Sequence, residues 1–242
     1  MSKSRSAFFP FLPTIVPFVS CAISLLSGIV LLLSCHDMDT KGTTPSPGPA
    51  GPTIRNSPAS TPAPIYYTVV KSLPHDTNAF TEGLLAHDGR LFESTGHTDP
   101  YPQSLSLFGE IDPRNARILT KAEIDKDKYF GEGIAFLKGR IYQLTNTTKI
   151  GFIYDASSFR KLGEFHYDSD GWGLTTNGSY LIMSDGSSQL TYRDPITFKT
   201  IKTLAVSDQN GPVKRLNELE LINGSVYANL WLTESILIFT IM

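Results

Sequence analysis

The feature that most constrains the fold is a fourfold internal repeat in the C-terminal part of this 242-residue chain. Each unit has a small or polar lead-in, a short apolar run, a glycine turn and a second run of alternating polar and apolar side chains. The units follow one another at about 40–50 residues, a spacing typical of repeat architectures. The four segments are TEGLLAHDGRLFEST from Thr81, GEGIAFLKGRIYQLT from Gly131, GWGLTTNGSYLIMSD from Gly171 and LNELELINGSVYANLW from Leu216.

The repeat predicts an all-β fold. Side chains alternate with a period of two, which is typical of half-buried strands, and a helical period is absent. Two further β-type runs follow in the first three units, split in the first and third by turns at Asp112-Pro113 and Asp194-Pro195. Four antiparallel strands in each repeat are the pattern of a β-propeller blade. A β-sandwich is the alternative, but it does not explain why the glycine turn recurs in every unit.

The count of units predicts an incomplete propeller. The fourth unit reaches Trp231 and is followed by one apolar run at residues 232–242, while residues 65–72 read as an unpaired strand before the first unit. Propellers commonly close when an N-terminal strand joins the last blade. We therefore expect residues 65–242 to form about four blades of a truncated five-bladed β-propeller, with most of the last blade missing.

The first 35 residues predict an export or anchoring segment. Lys3 and Arg5 precede an apolar stretch that ends Leu32-Leu33-Ser34-Cys35, and a basic start before a short apolar run is typical of a secretory signal. The ending resembles the lipobox of bacterial lipoproteins, in which Cys35 is lipidated. We expect an exported cell-envelope lipoprotein on the periplasmic or outer face of the membrane. An uncleaved, signal-anchored membrane protein is the alternative.

Residues 36–64 predict an extended linker. They contain seven prolines and eight serines or threonines, a composition that cannot bury enough apolar surface to offset the entropy of ordering.

The whole chain has a formal net charge of −2, so no basic excess favours nucleic-acid binding. Its two cysteines, Cys21 and Cys35, both precede the linker. This position argues against a disulfide scaffold or a cysteine-ligated zinc site, and we expect no metal or cofactor.

The propeller register predicts where the chemistry lies. The first strand of each blade lines the central axis, so corresponding residues converge there. Carboxyl groups beside aromatic walls form a small polar pocket, and burial raises the pKa of a carboxyl toward the range useful for general acid–base catalysis. The alternative is that these carboxylates only cap strand ends or bind an axial cation. The axial column holds Glu82, Glu132, Trp172 and Glu218, with Phe80, Phe130 and Asn217 beside it.

Seven short motifs lie along the same part of the chain: PHD from Pro74, FTEGL from Phe80, FESTG from Phe92, YFGEG from Tyr129, DGWGL from Asp170, SDG from Ser184 and LNELE from Leu216. Over about residues 66–231 they resemble the glutaminyl-peptide cyclotransferases of the plant and bacterial type. The resemblance implies a five-bladed propeller that converts N-terminal glutamine of peptides or proteins to pyroglutamate and releases ammonia. We expect no metal and no nucleic-acid partner, and a monomer when the fold is complete.

The resemblance also implies residue roles. Glu132 matches the catalytic glutamate, which takes a proton from the attacking α-amine and delivers one to the departing ammonia. Glu82 stands where the family usually has Gln, and Asn146 stands where it has Trp. A non-catalytic, lipid-anchored propeller that binds a ligand or partner in the same pocket remains the alternative. The expected substrate-binding residues are Phe80, Glu82, Phe130, Trp172, Asn217 and Trp231.

Overall fold

The computed structural model describes residues 62–241, and these form an all-β propeller arrangement of four blades. The predicted signal segment, Cys35 and most of the linker lie outside the described residues. Blade 1 contains β1 (Thr81–His87), β2 (Arg90–Thr95), β3 (Leu107–Asp112) and β4 (Arg117–Glu123). Blade 2 contains β5 (Gly131–Leu137), β6 (Arg140–Thr145), β7 (Ile150–Asp155) and β8 (Lys161–His166).

The last two blades differ from the first two in strand length or number. Blade 3 contains β9 (Leu174–Thr176), β10 (Leu181–Met183), β11 (Gln189–Arg193) and β12 (Thr200–Ala205). A two-strand ribbon, β13 (Ser207–Asp208) and β14 (Gly211–Pro212), leads to blade 4. Blade 4 has three strands, β15 (Leu216–Ile222), β16 (Ser225–Leu230) and β17 (Ile236–Thr240). Within each blade, consecutive strands pair antiparallel.

The recurring glycine turn is a two-residue hairpin turn in blades 1, 2 and 4. Both turn residues have positive φ, between 48° and 82°. This is the geometry of a type I′ turn, whose twist matches that of the strands it joins. Asp88-Gly89, Lys138-Gly139 and Asn223-Gly224 occupy the three turns.

Blade 3 departs from the repeat at the same turn. Asn177 Oδ1 accepts hydrogen bonds from the backbone N–H groups of Ser179 and Tyr180, at 3.0 and 2.8 Å. Because this side chain takes donors that a hairpin would pair with the neighbouring strand, β10 begins at Leu181. This start lies three residues after Gly178, whereas β2, β6 and β16 each begin directly after their turn glycine.

The core lies between the blades. Three buried apolar clusters form, one at each junction between consecutive blades along the chain. These junctions bury one face of blades 1 and 4 and both faces of blades 2 and 3, which explains why the apolar runs recur with the repeat. Members of these clusters from facing blades include Phe92 and Ile141 at the first junction, Leu144 and Leu181 at the second, and Tyr192 and Val226 at the third.

The first strands β1, β5, β9 and β15 approach one another around the centre. Blade 1 also meets blade 4 directly, because the Leu84 backbone N–H donates a hydrogen bond of 3.3 Å to Glu218 Oε1. The axial column predicted from the repeat is therefore assembled by strands that come from all four blades.

Residues 65–72 form no strand, contrary to the prediction. Tyr66, Tyr67 and Val70 are 87–96% exposed, and a backbone without a neighbouring strand has no ladder of hydrogen bonds to join. Among residues 62–241, no helix is long and apolar enough to cross a bilayer.

Candidate active site

One cavity of about 340 Å³ collects every residue predicted for the catalytic and substrate-binding site. It opens where the lead-in segments of the blades converge on the axis. Thr98 and Asn146 also line it, although no sequence pattern indicates Thr98, and Asn146 stands out in the sequence only because the family has Trp there. The lining residues are Phe80, Glu82, Thr98, Phe130, Glu132, Asn146, Trp172, Asn217 and Trp231.

Glu132 is the most deeply placed carboxyl in this cavity, with only 2% of the residue exposed. Asn146 Nδ2 donates a hydrogen bond of 2.7 Å to Glu132 Oε1. Glu132 Oε2 is buried and accepts no hydrogen bond from a described donor. Burial, together with the negative charges of Glu82 and Glu218, raises the pKa of Glu132 well above its ordinary value.

Glu82 lies on β1 and faces the same cavity. Its carboxyl approaches that of Glu132 closely enough for a hydrogen bond between them. Burial raises the pKa of Glu82 to about 7, and the bond from Glu132 opposes part of that rise.

Glu218 belongs to a neighbouring cleft of about 300 Å³ between β1 and β15, and it does not line the cavity. Its Oε2 atom is buried without a hydrogen-bond partner among the described residues. Burial raises the pKa of Glu218 well above its ordinary value. Of the four residues in the predicted axial column, three line the cavity and the fourth acts on Glu132 through its charge.

β-Bulges aim the polar side chains at the axis. The pairing register shifts between Thr81 and Gly83, between Gly131 and Ile134, and between Leu216 and Leu219. Each shift spans a predicted site residue: Glu82, Glu132 or Asn217. A bulge re-aims side chains and is common beside functional sites, and the apolar–polar pattern alone does not reveal it.

Close packing of adjacent blades explains the glycine that follows three of the four axial residues, Glu82, Glu132 and Trp172. At Gly133, a Cβ would lie 2.5 Å from the Leu174 backbone nitrogen and 2.7 Å from the Trp172 carbonyl oxygen. The Gly133 N–H donates a 2.9 Å hydrogen bond to that same carbonyl. At Gly173, a Cβ would lie 2.1 Å from the Asn217 carbonyl oxygen. These glycines let the first strands approach, and so bring Glu132, Trp172 and Asn217 together.

Aromatic side chains wall the cavity on two sides. Phe80 and Phe130 meet edge to face, with ring centroids 6.1 Å apart and an interplanar angle of 71°. Trp172 and Trp231 meet in the same manner at 5.4 Å and 68°. Phe80 and Trp231 are 37% and 47% exposed, so they form the outer part of the walls.

Ser184 has a structural role and fixes two of the site residues. Its Oγ accepts a 2.7 Å hydrogen bond from the Gly173 N–H and donates one of 2.7 Å to the Asn217 carbonyl oxygen. The Trp172 N–H donates to the Ser184 carbonyl oxygen at 3.2 Å. Ser184 is wholly buried, and its hydroxyl is used to link the segments that carry Trp172 and Asn217.

Within residues 62–241, no group of three or more His, Cys, Asp or Glu side chains is arranged to hold a metal ion. The polar groups that face the cavity are carboxyls, side-chain amides and one threonine hydroxyl. This set is suited to hydrogen bonding and proton transfer.

Comparisons with known proteins agree with this geometry. The family model described as glutamine cyclotransferase matches residues 48–241. The chain is 41% identical over 170 residues to a glutaminyl-peptide cyclotransferase from Arabidopsis thaliana, covering 69% of this chain and 51% of that protein. It thus spans about half the length of that relative. The crystal structure of Myxococcus xanthus glutaminyl cyclase matches with a TM-score of 0.64 and 32% identity, over 72% of this chain and 71% of the other. This chain belongs to the glutamine cyclotransferase family.

Proposed function

We propose that this protein converts N-terminal glutamine of peptides or proteins to pyroglutamate and releases ammonia. The observation that carries the proposal is the convergence of seven predicted site residues, from all four blades, on one cavity. A buried carboxyl at its base has a raised pKa, as general acid–base catalysis near neutral pH requires. Family membership and the names of the two relatives support the same reaction.

The reaction is intramolecular, so holding the substrate in a ring-forming shape is a large part of catalysis. The α-amine attacks the δ-carbon of the glutamine side chain, and Glu132 moves a proton from that nitrogen to the departing ammonia. The aromatic pairs Phe80–Phe130 and Trp172–Trp231 enclose the side chain. Asn217 hydrogen-bonds its amide. The exposed outer aromatics leave room for the rest of the peptide.

We further propose that the complete fold has five blades and is a monomer, with the fifth blade following the three-stranded blade 4. Two observations support this architecture. Blade 4 has three strands where blades 1–3 have four, and a cleft of about 300 Å³ lies between β1 and β15.

On the N-terminal side we propose an exported lipoprotein anchored through Cys35, with a signal anchor as the alternative.

The proposed reaction is tested by incubating the full chain with a glutaminyl dipeptide and measuring ammonia and the mass of the product. We expect one ammonia for each dipeptide and a product lighter by one ammonia. The matched control is the same dipeptide with an acetylated α-amine, which has no nucleophile and stays unchanged. If the free dipeptide is bound but not cyclised, the non-catalytic binding module becomes the better account.

A further inference from the structure

The cavity contains two carboxyl groups in contact, on strands of different blades. Glu82 comes from β1 and Glu132 from β5. Among the described residues that line the cavity, no basic side chain is present to neutralise them. Two ionised carboxylates this close, with one of them almost wholly buried, repel each other strongly, and a pair of this kind commonly keeps one proton.

We propose that Glu82 is a second catalytic carboxyl, which shares one proton with Glu132, and that Asn146 is a positioning residue for this pair. The inference rests on the proposed glutamine cyclisation. It gives a role to the two positions where this chain differs from the family pattern.

The hydrogen bonds around Glu132 locate the shared proton. Asn146 donates to Oε1 at 2.7 Å, so this oxygen is an acceptor and the Glu132 carboxyl is held in one orientation. Oε2 has no described donor. The bond between the two carboxyls requires one of them to be protonated, because a carboxylate has no hydrogen to donate. Glu132 Oε2 is the atom left to carry that proton and to donate it to Glu82.

The charges around the pair agree with this assignment. Glu82 from β1 and Glu218 from β15 both face Glu132 with negative charge and raise its pKa, and the Asn146 amide opposes them. The pKa of Tyr167, just after β8, is raised mainly by burial and in smaller part by the charge of Glu132. Glu82 accepts the bond and has a pKa of about 7, so Glu82 is the first of the pair to ionise as the pH rises.

The half-ionised pair can carry out the whole proton transfer. The Glu82 carboxylate accepts a proton from the substrate's α-ammonium, and the amine so formed attacks the δ-carbon and makes the ring C–N bond. Glu132 donates its proton to the amide nitrogen, whose bond to carbon breaks as ammonia leaves. Glu132 then regains a proton from the ring nitrogen, and ammonia removes the proton held by Glu82 and departs as ammonium. The pair ends with one proton, as it began.

This arrangement also defines the substrate class. A pair with one proton carries a single negative charge, which complements one cation. An α-amino group has a pKa near 7.7–8.0, so it is largely an ammonium ion at the pH where Glu82 ionises. The structure therefore favours peptides with a free, charged N-terminus.

The shared proton is tested by NMR titration of the full chain labelled with ¹³C at the glutamate side-chain carboxyl. Glu132→Gln assigns the Glu132 signal. In Glu82→Gln we expect the titration midpoint of Glu132 to fall by roughly one pH unit or more, because a neighbouring charge shifts a pKa by about that amount. In Asn146→Leu, which removes the donor but keeps a similar volume, the midpoint should rise. Glu220→Gln is the matched control, because Glu220 has a raised pKa of about 7 and lies outside the cavity.

A Glu132 midpoint that is the same in Glu82→Gln as in Glu220→Gln overturns the shared proton. A midpoint that does not rise in Asn146→Leu overturns the positioning role, and this second variant is independent of how well the first one folds. No activity enters these titrations. If the wild type cyclises no peptide, the proposed function fails, and with it the catalytic role of Glu82, whatever the titrations show.

Discussion

Replacing Glu82 with Gln should reduce the loss of stability that the wild type undergoes between pH 4.5 and pH 8. The compared quantity is the free energy of unfolding of each protein at the two pH values. The substitution keeps nearly the same shape and removes an ionisable group. Burial raises the pKa of Glu82 from 4.5 to about 7 in the folded state. A group with a raised folded-state pKa stabilises the fold fully below its unfolded-state pKa, and that stabilisation is lost as the pH rises through the folded-state value.

The magnitude follows from the size of the pKa change. One pKa unit corresponds to about 1.4 kcal/mol, so the rise from 4.5 to about 7 represents roughly 3 kcal/mol of unfolding free energy. The wild type should lose about this much between pH 4.5 and pH 8 through Glu82 alone. The Glu82→Gln variant should not, because its new side chain stays neutral throughout. The cost of burying the Gln amide is the same at both pH values, so it cancels from the difference in unfolding free energy between them.

The assay is urea unfolding of wild type, Glu82→Gln, Glu132→Gln and the double variant at pH 4.5, 6, 7 and 8. Since the two carboxyls interact, the double variant should deviate from the sum of the single effects at pH 8. The control pair is Glu82→Gln with Glu164→Gln, whose effects should add because Glu164 lies on β8 outside both the cavity and the neighbouring cleft. If the unfolding free energies of wild type and Glu82→Gln differ by the same amount at every pH from 4.5 to 8, the reasoning is refuted.

Three further predictions concern packing, pH dependence and location. Gly133→Ala should destabilise the fold by at least about 2 kcal/mol in urea unfolding, because the new Cβ would lie 2.5 Å from a backbone nitrogen. Gly163→Ala is the control and should be nearly neutral, because no atom lies within 4 Å of its new Cβ. The cyclisation rate should fall as the pH drops below about 7, where Glu82 gains a proton, and Glu82→Gln should move this limb; an acid limb at the same pH in both would contradict the assignment. A palmitate analogue should label the wild type and not Cys35→Ser, and equal labelling would favour the signal anchor.

Much of the fold could be predicted because the repeated residues are ones that the backbone geometry of each hairpin turn requires. Gly89, Gly139 and Gly224 are required by the positive φ of a tight hairpin, so their recurrence marks the first hairpin of blades 1, 2 and 4. The strand at Leu181 begins later after its glycine than the corresponding strands of the other blades, because the Asn177 side chain caps the turn. Residues 65–72 have the composition of a strand, but composition cannot supply a partner.

The site residues could be predicted as a set, whereas their interactions could not. The repeat register and the family motifs both indicate Glu82, Glu132 and Trp172. The hydrogen bond from Asn146 to Glu132 joins residues 14 apart on one blade, and no pattern in the sequence marks it. The register shifts that aim the carboxyls are also invisible in the sequence, because they depend on how two strands pair.

The central claim is that Glu132 moves the proton in glutamine cyclisation, and one comparison of rates tests it most directly. Ammonia release from a glutaminyl dipeptide is measured for wild type, Glu132→Gln and Glu164→Gln, the last being a carboxyl on β8 outside the cavity. We expect Glu132→Gln to lower kcat by roughly 10²–10⁴-fold, the usual contribution of a general acid–base group, and Glu164→Gln to match the wild type. Full activity in Glu132→Gln would contradict the account.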